Sequence, residues 1–523
     1  MCNWGLSHVF GMVGHSNLGL ADAIRQREDR GELTFIDVRH EGAASFAASA
    51  FAKLTGKPAA CLSIAGPGAT NLLTGLWDAK MDRVPILALT GQIDPQVLGP
   101  GAFQEVDLAA AFRPVAEWSQ TVLASSDPGE LTTLALKHAV LKRNVAHLIV
   151  PNEVQTNDAR GKSSGPEGRV ASLDISPPPT AVEKALALIE TSTRPTIIVG
   201  HGSRLGMDVV RALAERLGCP VITTFKGKGL IADEHRLACG VLGRSGTAVS
   251  HHFMDSSDLL IVFGASFAKH TNIATDKPTI QVDFDAMTLG KFHPVTVPVC
   301  GEIGITANLF LKELTAGKWK DSSEEVALHW ARWRAIKAER RGKAQGRGLN
   351  SATIFDVLSN LVPQDAVIAV DVGNNTYSFG RYFECRAQSI LMSGYLGSIG
   401  FGYPAAIGAW AAAPDRPIVA ITGDGGFAQY MGELCTAVKH RMNITHVLLN
   451  NGQLGKISLE QRNANVPIWK TRLHNPNFSR YAQNCGAFGV RATTAEELRT
   501  GFAQALEHPG PALVEVLADP ELI

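Results

Sequence analysis

Short, almost wholly apolar runs recur along this chain, each separated from the next by a stretch of helical character. VFGM (9–12), LTFIDV (33–38), AACLSI (59–64), VPILALTG (84–91) and HLIVP (147–151) fill the first third, with Ala-rich helical segments at 42–54 and 69–78 between them. A strand apolar on both faces must be covered on both faces. The pattern therefore predicts parallel sheets sandwiched by helices. TIIVG (196–200), PVITTF (220–225), LLIVFG (259–264) and TIQVDFD (279–285) form a second set, with a helix predicted over 207–217. AVIAVDVG (366–373), PIVAITGDG (417–425), ITHVLLNN (444–451) and PALVEVL (511–517) form a third. At about 150 residues per domain, 523 residues accommodate three such units. The expected fold is α/β, with three doubly wound parallel-sheet domains. The expected boundaries are a first domain at 1–156, a Gly/Ser/Pro-rich linker at 157–179 and a central domain at 180–316. A charged connecting helix and polar linker follow at 317–349, with Trp330 and Trp333 at helical spacing, and then a third domain at 350–523. The similar strand rhythm of the first and third units hints at related folds.

The balance of 49 Lys+Arg against 49 Asp+Glu, with no block of like charge, argues against nucleic acid or an anionic membrane surface as a partner. No apolar run reaches the roughly 18 residues of a membrane span, and MCNWGLSHVF has no basic segment leading into an apolar one, so no signal peptide is read. The eight cysteines stand singly, without C-x-x-C, so neither a zinc site nor a disulfide framework is expected, and a cytoplasmic location is the default.

The segment richest in chemistry runs from Gly423 to Gln453, GDGGFAQYMGELCTAVKHRMNITHVLLNNGQ. It opens where an apolar strand ends, which is where open parallel sheets bind ligands. Gly423, Gly425 and Gly426 let the backbone turn sharply and approach a ligand closely. Asp424 supplies a carboxylate, and a helix of about 15 residues, whose N-terminal N–H groups suit a phosphate, is predicted to follow. The next strand ends in Asn450-Asn451, 24 residues after Gly425. A carboxylate, an amide, a backbone carbonyl and two diphosphate oxygens would make the octahedral oxygen site that Mg²⁺ favours. Taken separately, GDG is an ordinary turn and Asn-Asn-Gly an ordinary hairpin.

Here the chain resembles the thiamine diphosphate enzymes of the acetolactate synthase and pyruvate oxidase family. The resemblance rests on VRHEGAASFAASAFAKLTG (38–56), GPGATNLLTGLWDA (66–79), GAFQE (101–105), DVGNN (371–375), SGYLGSIGFGYPAAIGA (393–409) and the Gly423–Gln453 segment, all in the family's order. It implies thiamine-diphosphate-binding folds in the first and third domains and a Rossmann-like central domain. It implies that Asp424, Asn451 and the Gln453 carbonyl hold Mg²⁺, and that Gly373, Asn374 and Asn375, with Gly423, Gly425 and Gly426, meet the diphosphate. Glu41 would bond the aminopyrimidine and share a proton with it. Ile399 would support the bend of the cofactor, and the Gly397 carbonyl would accept its amino hydrogen. Taken alone, Glu41 is an ordinary first-turn helix acid and Ile399 an ordinary core residue.

On the substrate side, the resemblance assigns Gln92, Phe103 and Glu460 to the cleft, and His15 to a nearby loop with a proton-transfer role. The plain alternatives are core packing for Phe103, a solvated helix charge for Glu460 and a surface loop for His15. Neighbouring His40 is expected to point away. KGKG (226–229), GRSGT (243–247) and GASFAKHT (264–271) match the family's flavin-contact regions, so FAD is the implied ligand of the central domain and a flavin-free domain the alternative. Two departures stand out. His270 replaces an arginine usual in acetolactate synthases, and 456–462 lacks their tryptophan. The opening helix looks short, and no membrane-docking tail of the quinone-linked oxidases follows.

The implied activity is decarboxylation of a short, pyruvate-like 2-oxo acid to a hydroxyethyl intermediate, followed by carboligation or oxidation. A simple decarboxylase, a flavin-free carboligase or a non-catalytic cofactor-binding paralogue are the alternatives. In relatives, Glu41 and Asp424 of one site come from different subunits, which implies a homodimer or a homotetramer.

Overall fold

The computed structural model describes every residue except 160, 162, 316–318, 344–347 and 521–523. The predicted start of the charged stretch at Lys318 and part of the polar linker after it lie outside the described residues.

Three parallel sheets of six strands organise the chain. In the first, the strands follow the order Thr34–Asp37, His8–Gly11, Ala59–Ser63, Ile86–Gln92, Val145–Pro151, Trp118–Thr121. The third repeats this order with Ser389–Leu391, Val367–Val370, Ile418–Gly423, Ile444–Asn450, Ala512–Leu517 and Phe488–Ala492. Numbered within each domain, both read 2-1-3-4-6-5, so the kinship hinted at by the strand rhythm extends to topology. The central sheet runs Val297–Cys300, Thr279–Asp283, Leu259–Phe263, Pro195–Val199, Val221–Thr223, Ala238–Val241. Numbered in its own chain order this is 6-5-4-1-2-3, the Rossmann arrangement. Its ligand crevice is expected outside the carboxyl ends of the two strands flanking the reversal, Pro195–Val199 and Leu259–Phe263.

The first and third domains share one core. Helix Glu41–Thr55 is buried along nearly its whole length because alanine dominates it, and it packs on helix Gly402–Ala412. The approach is so close that a Cβ on Gly408 would lie 2.1 Å from the Ala47 carbonyl oxygen. Gly408→Ala must therefore push the two domains apart. We expect a loss of about 1–3 kcal/mol, as for overpacked cores generally, measurable as a lowered midpoint of denaturation.

Among the described residues, 157–178 contains neither helix nor strand, and helix Pro179–Thr191 opens the central unit. The connecting helix is present at Ser323–Arg341. Its two tryptophans sit on the buried face, and their indole N–H groups reach in different directions. Trp330 donates to the Ala238 carbonyl at 2.7 Å in the central domain, and Trp333 to the Arg381 carbonyl at 3.3 Å in the third. One expectation is overturned. The long helix after Gly423 is broken into Asp424–Phe427 and Glu433–Lys439. Between them the backbone tightens to i→i−3 bonds, Tyr430 N–H to Phe427 O and Glu433 N–H to Tyr430 O. Tyr430 turns into the first domain there, edge-on to His40 and Phe46.

Candidate functional site

Strands Ile418–Gly423 and Ile444–Asn450 are neighbours, with Gly423 opposite Leu449, so Asp424 and the Asn450-Asn451 pair leave the sheet side by side. The Asp424 carboxylate accepts the Gly425 N–H at 2.9 Å, the Gly452 N–H at 2.8 Å and the Asn475 amide at 2.7 Å. Asn475 also donates to Asn450 at 3.0 Å. Burial nonetheless pushes the Asp424 carboxyl above its ordinary value, against the pull of Asn475 and the N–H groups. A buried, hydrogen-bonded carboxylate of this kind gains from a cation. Asn451 accepts the Gln453 N–H at 3.1 Å, and Gly452 adopts a left-handed φ of 67° that makes the turn.

Facing this pair, Gly373 (φ 141°) starts helix Asn374–Tyr382. Asn375 is spent on the Asp371 carbonyl at 2.6 Å. The Asn374 amide nitrogen, in contrast, is buried without a partner. A Cβ on Gly455 would lie 2.4 Å from that nitrogen and 3.0 Å from the Asn451 amide nitrogen, so Asn374, Asn451 and Gly455 converge on one spot. An unpartnered buried amide beside a turn of glycines, a carboxylate and a second amide fits a metal-bound diphosphate. Asp371 orders the loop opposite. Its carboxylate accepts the Val372 N–H at 2.8 Å and the Gly400 N–H at 3.0 Å, and burial pushes it up to about 7. A Cβ on Gly426 would come within 2.0 Å of the Asp371 carboxylate, so the glycine is required. Gly397 (φ 69°) and Ile399 sit on this loop just ahead of Gly400.

In the first domain, Glu41 starts its helix and is only 6% exposed. One carboxylate oxygen accepts the Asn71 amide at 3.0 Å, and the other lies 2.9 Å from where a Cβ on Gly68 would stand. His40 does not simply point away, because its Nδ1 accepts the Gly42 N–H at 3.0 Å and caps the helix. Gln92 is not free to point into a cleft. Its amide donates to the Val106 carbonyl at 3.0 Å and its oxygen accepts the Ile93 N–H at 2.9 Å, so it ties down the 101–106 loop. Phe103 on that loop is 81% exposed, which excludes core packing within the chain, and its ring lies 6.4 Å from that of exposed His15. Glu460 is half-exposed on helix Gly455–Asn463 and paired with Lys456, which holds its carboxyl below the usual range.

A cavity of about 510 Å³ opens at the central sheet's reversal, lined by Gly200, His201, Lys226, Arg244, Gly264 and His270 among others. All three segments matched to flavin contacts reach it. The packing is closest at its floor, where a Cβ on Gly200 would lie 2.2 Å from the Gly264 carbonyl oxygen. Arg143 and Arg204 also line it, neither with an ion-pair partner among the described residues. Burial and the neighbouring Arg143 lower Arg204 to about 10. Two guanidinium groups in one wall, neither in an ion pair among the described residues, fit an anion such as a dinucleotide diphosphate.

Sequence reasoning missed Asn475, Asp371 and Asn71, since each acts through a contact that no local spacing announces. It also missed a buried charge network. Lys53 bonds Asp78 at 2.6 Å, Asp82 at 2.8 Å and the Met392 carbonyl at 3.0 Å, and Lys226 bonds Asp82 at 2.7 Å. These groups tie all three domains together between the 393–400 loop and the cavity.

Residues 1–111, 182–314 and 371–516 match the N-terminal, central and C-terminal domains of the thiamine pyrophosphate enzymes. The chain is 34% identical to the thiamine pyrophosphate-containing protein YdaP of Bacillus subtilis, over 98% of this chain and 89% of that one, whose name states no reaction. It is 31% identical to the acetolactate synthase large subunit of Parasynechococcus marenigrum, over 98% and 85%. It is 32% identical to the chloroplastic acetolactate synthase 1 of Nicotiana tabacum, over 98% and 80%. With its three sheets in matching order, the chain belongs to the thiamine pyrophosphate enzyme family, alongside the acetolactate synthases.

Proposed function

We propose that this enzyme decarboxylates a short, pyruvate-like 2-oxo acid with thiamine diphosphate and Mg²⁺, and then joins the remaining fragment to an acceptor or oxidises it. The observation that carries the reading is the convergence of Asp424, Asn451 and the unpartnered Asn374 amide at adjoining strand ends. Asp424, Asn451 and the Gln453 carbonyl would hold the metal, and Gly373, Asn374 and Asn375 the diphosphate. When bound, the cofactor would supply a ring carbon that becomes nucleophilic toward the substrate carbonyl once it has lost its proton, and a ring able to accept the electrons released with CO₂. Glu41, buried at the start of its helix, holds and returns the proton that governs that carbon. Ile399 fills the bend beneath the rings. His15, Phe103 and Glu460 stand at the substrate entrance, and Gln92 sets the loop that carries Phe103.

A second copy of the chain completes the site. Phe103 and Trp469, 81% and 70% exposed, are apolar surface that such a partner could cover. Among the described residues no helix is long and apolar enough to cross a membrane. All eight cysteines are free.

Arg143 and Arg204, which form no ion pair among the described residues, favour FAD in the central cavity over a ligand-free domain. The purified protein is expected to be yellow, and Arg204→Met to lose flavin roughly tenfold or more, the scale of one charge-assisted phosphate contact, as measured by absorbance after gel filtration. The activity itself is tested by incubating the enzyme with pyruvate, thiamine diphosphate and Mg²⁺, with and without an electron acceptor. CO₂ release is expected in both cases. If the acceptor diverts product to acetate or acetyl phosphate, the oxidase branch holds, and if acetolactate forms regardless, the synthase branch does. Absence of CO₂ from every short 2-oxo acid would leave a binding protein.

A further inference from the structure

The turn that aims Glu41 is gripped from the other domain. Glu433 opens the second half of the broken helix and is 1% exposed. Its carboxylate accepts the Arg39 N–H at 3.0 Å and the His40 N–H at 2.9 Å, the two backbone donors immediately before Glu41, 394 and 393 residues away. Its other oxygen accepts the Thr436 hydroxyl at 2.7 Å. Without Glu433 those N–H groups have no helix of their own to bond, since they precede Glu41–Thr55 and belong to the unsatisfied donors of its N-terminus. The far end of the same short helix grips the same turn. Lys439 and His440 bond the two oxygens of Asp37 at 2.5 and 2.8 Å. Burial favours a raised Asp37, but the hydrogen bonds from Lys439 and His440 hold its carboxyl below the usual range. Tyr430 closes the clamp from the side, its hydroxyl oxygen lying where a Cβ on Gly42 would stand, at 2.5 Å.

The geometry points to Glu433 as a positioning residue for Glu41: by holding the Arg39 and His40 N–H groups it fixes the turn from which the proton-relay carboxyl projects. This rests on the reading of Glu41 as the group that meets the aminopyrimidine. The clamp runs from the segment that follows Asp424 to the one that precedes Glu41. Each chain thereby links its metal-binding turn mechanically to its proton-relay turn. The break in the helix at 428–432 has a purpose in this light, because a continuous helix would not bring both Tyr430 and Glu433 to face residues 37–42.

The test compares Glu433→Ala, Glu433→Gln and Glu41→Gln by the rate of deuterium exchange at the reactive ring carbon of bound thiamine diphosphate. It adds backbone amide exchange of the 37–46 peptide in cofactor-free protein. In Glu433→Ala the ring-carbon exchange is expected to slow about tenfold or more, within the span of a displaced general acid–base group. Thiamine diphosphate affinity and melting temperature should stay near wild type, and the 37–46 amides should exchange faster. Glu433→Gln, which keeps an acceptor oxygen for both N–H groups, should recover most of the rate. Wild-type ring-carbon exchange in Glu433→Ala, with Glu41→Gln slow, overturns the proposal. So does a loss that appears only together with lost affinity and lost fold. Should Glu433→Ala fail to fold, Asp37→Asn, half-buried and at the other end of the clamp, decides in the same assay: slowed exchange supports the proposal and a wild-type rate overturns it. Wild-type exchange in Glu41→Gln would instead remove the reading of Glu41 itself.

Discussion

Glu41→Gln should lower turnover about 10³-fold while leaving thiamine diphosphate affinity within a few-fold, the signature of a lost proton carrier in an intact site. Gln is nearly isosteric and can still meet the Asn71 amide with its carbonyl oxygen, so the buried helix start keeps its packing. What it cannot do is exchange a proton with the pyrimidine. Steady-state kinetics and a cofactor titration monitored by intrinsic fluorescence separate the two effects. Turnover within a factor of a few of wild type would remove Glu41 from the mechanism. A parallel collapse of cofactor affinity would make its role one of binding.

Lys53→Met is expected to be the most destabilising single change in the molecule. It strands Asp78, which already holds one carboxylate oxygen without a partner, and leaves buried Asp82 beside it with Lys226 alone. Removing one member of a buried ion cluster costs roughly 3–5 kcal/mol, because the remaining charges lose their compensation. Denaturant unfolding should show that loss, and a double variant with Asp78→Asn should recover part of it. The pH dependence has a definite sign. Burial favours a raised Asp82, but Lys226 and Lys53 hold it well below the ordinary 3.8. Its contribution is therefore present above 3.8 and fades as pH falls toward the folded value. Lys53, held above 10.5 by Asp78 and Asp82 against the effect of burial, contributes fully below 10.5 and loses its contribution as pH rises through its folded value. Asp78, which burial pushes above its ordinary value, works the other way and gains stability as pH falls, so the acid limb is the difference of the two aspartates, while the alkaline loss set by Lys53 should vanish in Lys53→Met.

The inner strands were legible because burial on both faces leaves a continuous apolar run. The strands that went unread, Trp118–Thr121, Ala238–Val241, Val297–Cys300, Ser389–Leu391 and Phe488–Ala492, all lie at sheet edges. Most have one face partly open, and WSQT or FGVRA carries no apolar signal of its own. The site was legible where its residues are local in sequence, as in Gly423–Gly426 and Asn450–Gln453. It was illegible where a distant side chain completes it. Asn475 reaches Asp424 across 51 residues, and Glu433 reaches His40 across 393. The helix after the glycine turn was misread because its sequence is compatible with a continuous helix, and only the docking of Tyr430 on the first domain breaks it. His15 and Phe103 are brought together by the fold, whereas Gln92 is diverted to holding a loop.

The bare backbone contact between Gly408 and Ala47 has an evolutionary corollary. No side chain cushions that seam, so neither helix can accept a larger residue unless its counterpart shrinks in step. The two outer domains must consequently drift as a matched pair and be inherited as one unit. The central domain is under the same constraint where it meets the third, since a Cβ on Gly229 would lie 2.4 Å from the Gln388 carbonyl oxygen and one on Gly380 2.5 Å from the Ser245 carbonyl oxygen.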